Sequence, residues 1–160
     1  MKIRIGHGVD VHRLAEGEEL WLGGIKIEHQ LGCVAHSDGD VVIHAICDAM
    51  LGALALGDIG LHFPDTSQDY KGIDSKILLK RVNELIKEKG YVLGNLDTVI
   101  CMQKPKLRPH IDSMRECIAK ILDTNVENIS IKATTTEKLG FEGRQEGVSA
   151  HCSVLLTTND

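Results

Sequence analysis

The chain has 160 residues, 42% hydrophobic and 26% charged, which excludes a disordered protein and predicts a single domain over residues 1–160. Its net charge of −5 and its 3% of aromatic residues argue against nucleic acid and anionic membranes as partners. No apolar run approaches the roughly 20 residues of a membrane span, and five cysteines without CxxC spacing predict reduced thiols in a cytosol-like compartment.

The first third of the chain predicts a strand, a hairpin arm and a helix. Residues 2–13 alternate as in a strand, whose apolar face would carry Ile3, Ile5, Val9 and Val11. The opposite, polar face would carry Arg4, Asp10 and His12. Residues 20–27 predict the hairpin arm. Ser37 and Asp40 resemble a capping box before an apolar run, Val41–Leu56, which predicts a helix ending near Gly57.

The rest of the chain predicts one long loop followed by alternating helices and strands. Residues 57–74 are rich in Gly, Asp and Pro and lack periodicity, which is typical of a functional or mobile loop. Two further helices are predicted over about 74–90 and 109–123, and three strands over 96–103, 128–134 and 148–158. The order β-β-α-α-β-α-β-β favours an α+β fold of two layers, with helices on one face of a mixed four- to five-stranded sheet.

Histidines and aspartates concentrate in the first 44 residues and indicate a site there. Asp10 and His12 project from one strand face, and His44 lies on the predicted helix. Two imidazoles and a carboxylate would form an open zinc site that leaves a position for a substrate oxygen. Asp40 or Asp48, each one turn from His44, could accept its other ring N–H. The spacing fits equally well a His12 that caps a strand end and a His44 that is only a half-buried helix residue.

Three further segments could bind phosphate, and each has an ordinary structural explanation. His36 and Ser37 precede a helix whose N–H groups could bind an anion, or they belong to a simple cap. The basic loop 104–108 could clamp a phosphate or be merely solvated. Residues 133–140 supply three hydroxyls and Glu137, which could hold Mg²⁺, or they form a threonine-capped turn. Together these signals indicate two-metal phosphoryl chemistry without a protein nucleophile, so the substrate is expected to supply its own.

The chain resembles the 2-C-methyl-D-erythritol 2,4-cyclodiphosphate synthase family of the non-mevalonate isoprenoid pathway in five segments: DVHRL (10–14), HSDGDVVIHA (36–45), LGDIGLHFPDTS (56–67), PKLRPHI (105–111) and KATTTEKLGFEGR (132–144). The resemblance implies a phosphorus–oxygen lyase that converts 4-diphosphocytidyl-2-C-methyl-D-erythritol 2-phosphate to the cyclic diphosphate and CMP. The substrate's 2-phosphate would attack the β-phosphorus of its own diphosphate. The resemblance also implies a cytoplasmic bacterial enzyme, or a mature plastid one, that is a homotrimer with active sites shared between neighbours.

The resemblance assigns roles residue by residue. Asp10, His12 and His44 would bind one Zn²⁺ per subunit, and Glu137 would bind Mg²⁺ or Mn²⁺. His36 and Thr135 would stabilise the pentacoordinate transition state. The methylerythritol end would contact Asp58, Ile59, Gly60, Phe63, Pro64, Asp65, Thr66 and Ser67. The cytidine diphosphate end would contact Met102, Gln103, Lys104, Pro105, Lys106, Leu107, Arg108, Ala133 and Thr134. Other implied substrate contacts are Asp10, His12, His36, Ser37, Thr135, Thr136, Glu137, Phe141 and Arg144.

Two other functions fit the same residues less fully. A zinc-dependent phosphohydrolase would use an activated water and release free phosphate. A trimeric nucleotide-binding module with a vestigial site would bind CDP without turnover, which the complete set of implied metal ligands argues against. Two places depart from the family pattern. His151 stands where a carboxylate is expected near the three-fold axis, beside Phe141 and Arg144, and the pair Leu107-Arg108 is more basic than the apolar pair expected there.

Overall fold

A mixed β-sheet forms the centre of the protein, whose computed structural model describes residues 1–158. The strands are β1 (Ile3–Glu16), β2 (Leu20–Leu22), β3 (Ile25–Ile27), β4 (Leu31–Val34), β5 (Tyr91–Cys101), β6 (Ile129–Thr134) and β7 (Gly147–Thr158). The main sheet has the order β4-β1-β7-β5-β6, in which β5 and β6 are parallel and the other neighbours antiparallel. Strands β2 and β3 pair separately as the hairpin arm.

Helices pack on this sheet and enclose an apolar core. They are α1 (Val41–Ala53), α2 (Ile59–His62), α3 (Ser75–Glu88), α4 (Ile111–Leu122) and α5 (Gly140–Gly143), with short 3₁₀ turns at Gln68–Tyr70, Arg108–His110 and Val126–Asn128. The architecture confirms the predicted α+β fold with a five-stranded mixed sheet. Residues 159–160 of the predicted single domain lie outside the described residues.

Several predicted boundaries are wrong for local reasons. Strand β5 begins at Tyr91 rather than residue 96, because a register shift between Leu93 and Asn95 accommodates Gly94 within the strand. Strand β4, a four-residue strand at the edge of the sheet, was not predicted. The first helix ends at Ala53 rather than Leu56, since Ala55 adopts a left-handed backbone conformation with φ of 55°.

Strand β1 turns its polar face toward the core and its apolar face outward. Helix α1 covers the side that holds Gly6 and Gly8, where an added Cβ would lie 1.9 Å from the Ala49 carbonyl oxygen and 2.1 Å from that of Ala45. The two backbones therefore touch directly, which only glycine permits. On the uncovered face the exposed apolar side chains are Ile3, Ile5, Val9 and Val11.

Gly8→Ala is expected to destabilise the metal-free protein by about 3 kcal/mol, because the new methyl group meets the Ala45 carbonyl and must push α1 away from β1. Gly52→Ala is the matched control: Gly52 lies in α1 with no atom within 4 Å of an added Cβ. The control should stabilise the protein by about 0.5–1 kcal/mol. Urea unfolding measures both changes, and a Gly8→Ala protein as stable as the parent would contradict the close approach.

Candidate active site

Three side chains converge where α1 crosses β1. The Asp10 Oδ2 atom lies 3.0 Å from His44 Nδ1 and 3.1 Å from His12 Nε2. The two imidazole nitrogens are 3.4 Å apart. Among residues 1–158 this is the one group of three or more His, Cys, Asp or Glu side chains close enough to share a metal ion. Two neutral imidazoles and a carboxylate suit a divalent transition metal, so the donor set fits the zinc that the sequence predicts.

The strand–helix packing places these three groups. Asp10 and His12 alternate with outward-facing residues on β1, so both point toward α1. His44 lies on the inner surface of α1, next to Ala45, whose carbonyl closely approaches Gly8. The pairing of β1 with β7 continues past both ligand positions, to Arg13 opposite Gly147, and holds the strand in register.

Charges within this group stabilise each other. Burial opposes ionisation of Asp10, but hydrogen bonds from His12 and His44 outweigh it and lower the pKa of Asp10 to about 2. Burial of His44 acts in the opposite direction to its contact with Asp10, and the contact prevails, so the pKa of His44 is raised. The carboxylate is therefore ionised at neutral pH and ready to accept a cation.

The prediction that Asp40 or Asp48 accepts the second ring N–H of His44 is wrong. Asp40 is the N-cap of α1 and accepts the N–H groups of Ile43, Gly23 and Gly24 at 3.0, 2.9 and 2.7 Å. Complete burial raises its pKa to about 6, against the effect of these donors.

Asp48 is engaged elsewhere too. Its Oδ1 accepts the Ile59 N–H at 2.8 Å, which ties α1 to the start of the long loop. The partner of His44 Nε2 is instead Ser75 Oγ at 2.8 Å, a residue that the sequence analysis did not single out.

A cavity of about 340 Å³ opens beside the three ligand candidates. Predicted site residues that line it are Asp10, His12, His36, Ser37, His44, Ile59, Gly60, Phe63 and Asp65. Lining residues that sequence reasoning missed are Val34, Ala35, Tyr70, Ile73 and Leu78. Asp58 instead caps α2 by accepting the Leu61 N–H, and Ser67 caps the following 3₁₀ turn. Pro64 and Thr66 are in the same loop but do not line the cavity.

A second cavity of about 400 Å³ lies at the ends of β5 and β6. The predicted residues that line it are Met102, Gln103, Pro105, Lys106, Leu107, Arg108, Ala133, Thr134 and Thr135. Ile111, Ile131 and Lys132 complete the lining and were not predicted, whereas Lys104 does not line it. Parallel pairing of β5 with β6 places Cys101 opposite Thr134, which brings the two predicted segments together.

The segment after β6 carries the remaining predicted residues. Thr135 Oγ1 donates to Glu137 Oε1 at 3.2 Å, and Glu137 and Lys138 adopt left-handed conformations with φ of 54° and 64°. Lys138 N–H donates to Gln103 Oε1, which links this turn to the second cavity. Glu137 and Thr136 line neither cavity within one chain.

Phe141 lies in α5, and Arg144 directly follows that helix. Neither residue lines either of the two cavities. Phe141 lines a shallow depression with His12 and Gly147, and Arg144 pairs with Glu146 at 2.9 Å. His151 lies on the uncovered sheet face, with its ring centroid 6.0 Å from that of His7. No helix within residues 1–158 combines the length and apolar character needed to cross a bilayer.

The Asp10 pKa shift predicts a pH window for the metal-free protein. The lowered pKa of Asp10 adds stability above its ordinary value of 3.8, which is lost as pH falls toward 2. The raised pKa of His44 adds stability below 6.5, which is lost as pH rises through the raised value. Asp10→Asn should therefore lower the free energy of unfolding more at about pH 5 than at about pH 9.

Urea unfolding with chelator present measures this difference. Asp69→Asn, which removes the same charge from an exposed loop position, is the control. An equal loss of stability at both pH values in the Asp10 variant would contradict the interaction between Asp10 and a protonated His44.

Comparison with known proteins shows the family. The YgbB family model matches residues 3–157. The 2-C-methyl-D-erythritol 2,4-cyclodiphosphate synthase of Bacteroides thetaiotaomicron is 60% identical over 156 residues, 98% of both chains. That of Fusobacterium nucleatum is 60% identical over 154 residues, 96% of both.

Solved structures agree with this match. A CDP-bound form of a synthase of the same name is 38% identical, with a TM-score of 0.89 over 96% of this chain and 100% of that one. The bifunctional IspDF of Campylobacter jejuni is 45% identical, with a TM-score of 0.95 over 99% of this chain, which spans 43% of the length of that protein. From the match over residues 3–157 and relatives at 60% identity, the chain belongs to the YgbB family.

Proposed function

We infer that the protein converts 4-diphosphocytidyl-2-C-methyl-D-erythritol 2-phosphate to 2-C-methyl-D-erythritol 2,4-cyclodiphosphate and CMP, as a phosphorus–oxygen lyase of the non-mevalonate isoprenoid pathway. The observation that carries this function is the convergence of Asp10, His12 and His44 in one cavity with His36 and Ser37. The relatives at 60% identity bear the name of this synthase. A cytoplasmic location is supported by five cysteines that are all free.

The proposed reaction forms and breaks one bond at the same phosphorus. An oxygen of the 2-phosphate bonds to the β-phosphorus, and the bond from that phosphorus to the oxygen of CMP breaks. No protein nucleophile is needed, so the residues must position the two phosphates and neutralise their charge. His36 and Thr135 are proposed to stabilise the pentacoordinate transition state. His36 lines the first cavity and Thr135 the second.

Two metals are proposed. Zinc, held by Asp10, His12 and His44, would supply Lewis-acid polarisation of a phosphate oxygen. Glu137 would hold Mg²⁺ or Mn²⁺, which would neutralise charge on the diphosphate, because oxygen ligands suit these harder ions. The left-handed turn at Glu137 and Lys138 presents this carboxylate outward, where it is exposed.

The two ends of the substrate are proposed to occupy the two cavities. The methylerythritol end fits the cavity beside the ligand triad, where Ile59, Gly60 and Asp65 come from the long loop. The cytidine end fits the cavity between β5 and β6, in which Lys106 could meet phosphate. Two solved neighbours carry CDP in their names, one of them IspF of Plasmodium falciparum at 35% identity.

A homotrimer is proposed from the uncovered face of the sheet. Ile3 is 53% exposed, Ile5 78% and Val9 44%, an unusual concentration of apolar side chains on one strand face. Because Glu137 lines neither cavity of its own chain, a site shared between neighbouring subunits would bring it to the substrate. Both features support the assembly that the resemblance implies.

³¹P NMR of the purified protein with the proposed substrate, Mg²⁺ and Zn²⁺ tests the reaction. Cyclic diphosphate and CMP should appear together in equal amounts and should stop appearing when both metals are chelated. Inorganic phosphate in place of the cyclic product would favour the phosphohydrolase.

The His44→Ala variant tests the metal assignment. The variant should lose zinc and turnover while retaining the fold, since its neighbour Ala45 and the strand–helix contact remain. Full turnover by a zinc-free His44→Ala protein would overturn the metal assignment. Substrate bound unchanged with both metals present would leave only the nucleotide-binding module.

Ile5→Glu is expected to shift the protein from three chain masses toward one in analytical ultracentrifugation, because it places a charge on the uncovered apolar face. Ile77→Glu is the control, since Ile77 is also an exposed isoleucine, 46% exposed, but lies on α3. Equal masses for the Ile5 variant and the parent would argue against this face as the interface.

A further inference from the structure

We propose that Ser75 and Asp38 are positioning residues: the Ser75 oxygen, held in place by Asp38, accepts the Nε2 proton of His44 and so directs Nδ1 toward Asp10 and His12. The inference rests on the metal site of the proposed function and adds two residues to it. Neither residue belongs to the three candidate ligands, and Ser75 is 31 positions from His44 along the chain.

Asp38 is held by three donors. Its Oδ2 atom accepts the Ser75 N–H at 2.8 Å, and its Oδ1 accepts the Asp40 N–H at 3.1 Å. The Ser75 hydroxyl also donates to Oδ1 in a short contact. These bonds fix both the carboxylate and the serine side chain, and Ser75 is fully buried. The hydroxyl oxygen that approaches His44 is therefore immobilised.

The location of each proton follows from the chemistry of the three groups. An ionised carboxylate only accepts hydrogen bonds, so the single proton of the Ser75 hydroxyl must lie toward Asp38. The serine oxygen then has only lone pairs to offer His44 Nε2, at 2.8 Å. A hydrogen bond at that distance requires a proton on Nε2. When a metal is bound through Nδ1, the one remaining ring proton is therefore on Nε2, where the Ser75 oxygen accepts it.

Ser37 is the alternative partner for the same nitrogen and fits less well. Its hydroxyl oxygen is 3.4 Å from His44 Nε2, beyond the usual range for such a bond. That oxygen also accepts the Gly39 N–H at 3.2 Å. Ser37 thus lies beside the contact between Ser75 and His44 without replacing it.

The arrangement also ties the metal site to the long loop. Ser75 is the first residue of α3, directly after residues 57–74, which supply much of the first cavity. Gly72 N–H donates to the His36 carbonyl at 2.6 Å, so the end of the loop is fastened at two neighbouring points. The orientation of His44 therefore depends on a loop end that is docked.

Ser75→Ala tests the inference through zinc affinity, measured by competition with a chromophoric chelator. Loss of the Nε2 partner should weaken zinc binding by about 10–100-fold. Ser149→Ala is the matched control, because Ser149 is likewise buried and its hydroxyl donates to a carboxylate, Glu142, at 2.9 Å. Its zinc affinity should equal that of the parent. The visible spectrum of the Co²⁺-loaded protein should change in the Ser75 variant alone.

¹⁵N NMR of the imidazole rings in the zinc-loaded protein gives a readout that a general loss of stability does not change. In the parent, His44 should carry its proton on Nε2 and bind the metal through Nδ1. Asp38→Asn, which has nearly the same shape, replaces one of the two oxygens that hold Ser75 by an amide group that donates. This variant should also weaken zinc binding, and it serves if Ser75→Ala does not fold.

The outcomes separate this inference from the proposed function. A parent protein that binds zinc while the Ser75 and Asp38 variants bind it equally well would overturn the inference and leave the metal site intact. A zinc-loaded parent in which His44 binds the metal through Nε2 would overturn it as well. A parent protein that binds no zinc would instead refute the metal assignment, and the inference with it.

Discussion

Helix α1 lies so close to strand β1 that the carbonyl oxygens of Ala45 and Ala49 occupy the space a side chain would need at Gly8 and Gly6. This contact sets the distance between His44 on the helix and Asp10 on the strand, and hence the shape of the candidate metal site. A larger residue at either glycine would clash with these carbonyl oxygens and push the helix away from the strand. His44 is buried where the two elements meet.

The close packing also explains why the apolar face of β1 points outward. A strand with one apolar face normally buries it, yet here the inner face carries glycines and ligands and the apolar face is exposed. Packing of a strand's apolar face against helices of the same chain ordinarily stabilises the fold. The apolar face of β1 lacks that contact, so another surface would have to bury it. A second and third copy of the chain would provide such a surface. The proposed trimer and the candidate metal site thus both follow from which face of β1 packs against α1.

Local patterns were enough to predict that the three candidate ligands lie together but not what surrounds them. Strand alternation places Asp10 and His12 on one side, and a helix pattern places His44, so all three could be identified from the sequence. The partner of His44 could not, since Ser75 follows a long loop and no periodicity connects the two positions. Asp40 and Asp48 were misassigned because one helical turn of spacing does not say which way each side chain points. Gly94 likewise concealed the first part of β5, because a bulge tolerates a residue that usually ends a strand.

An intramolecular phosphoryl transfer requires accurate placement more than it requires reactive side chains, and the buried polar groups are distributed accordingly. Asp40 joins the hairpin arm to the start of α1, and Ser75 joins the start of α3 to His44. Each forms bonds between segments that are distant in sequence, and neither can be replaced by an apolar residue without leaving buried N–H groups or a ring nitrogen unpaired. These buried polar groups therefore serve to orient the proposed ligands. A reaction in which the substrate supplies its own nucleophile requires this positioning from its enzyme.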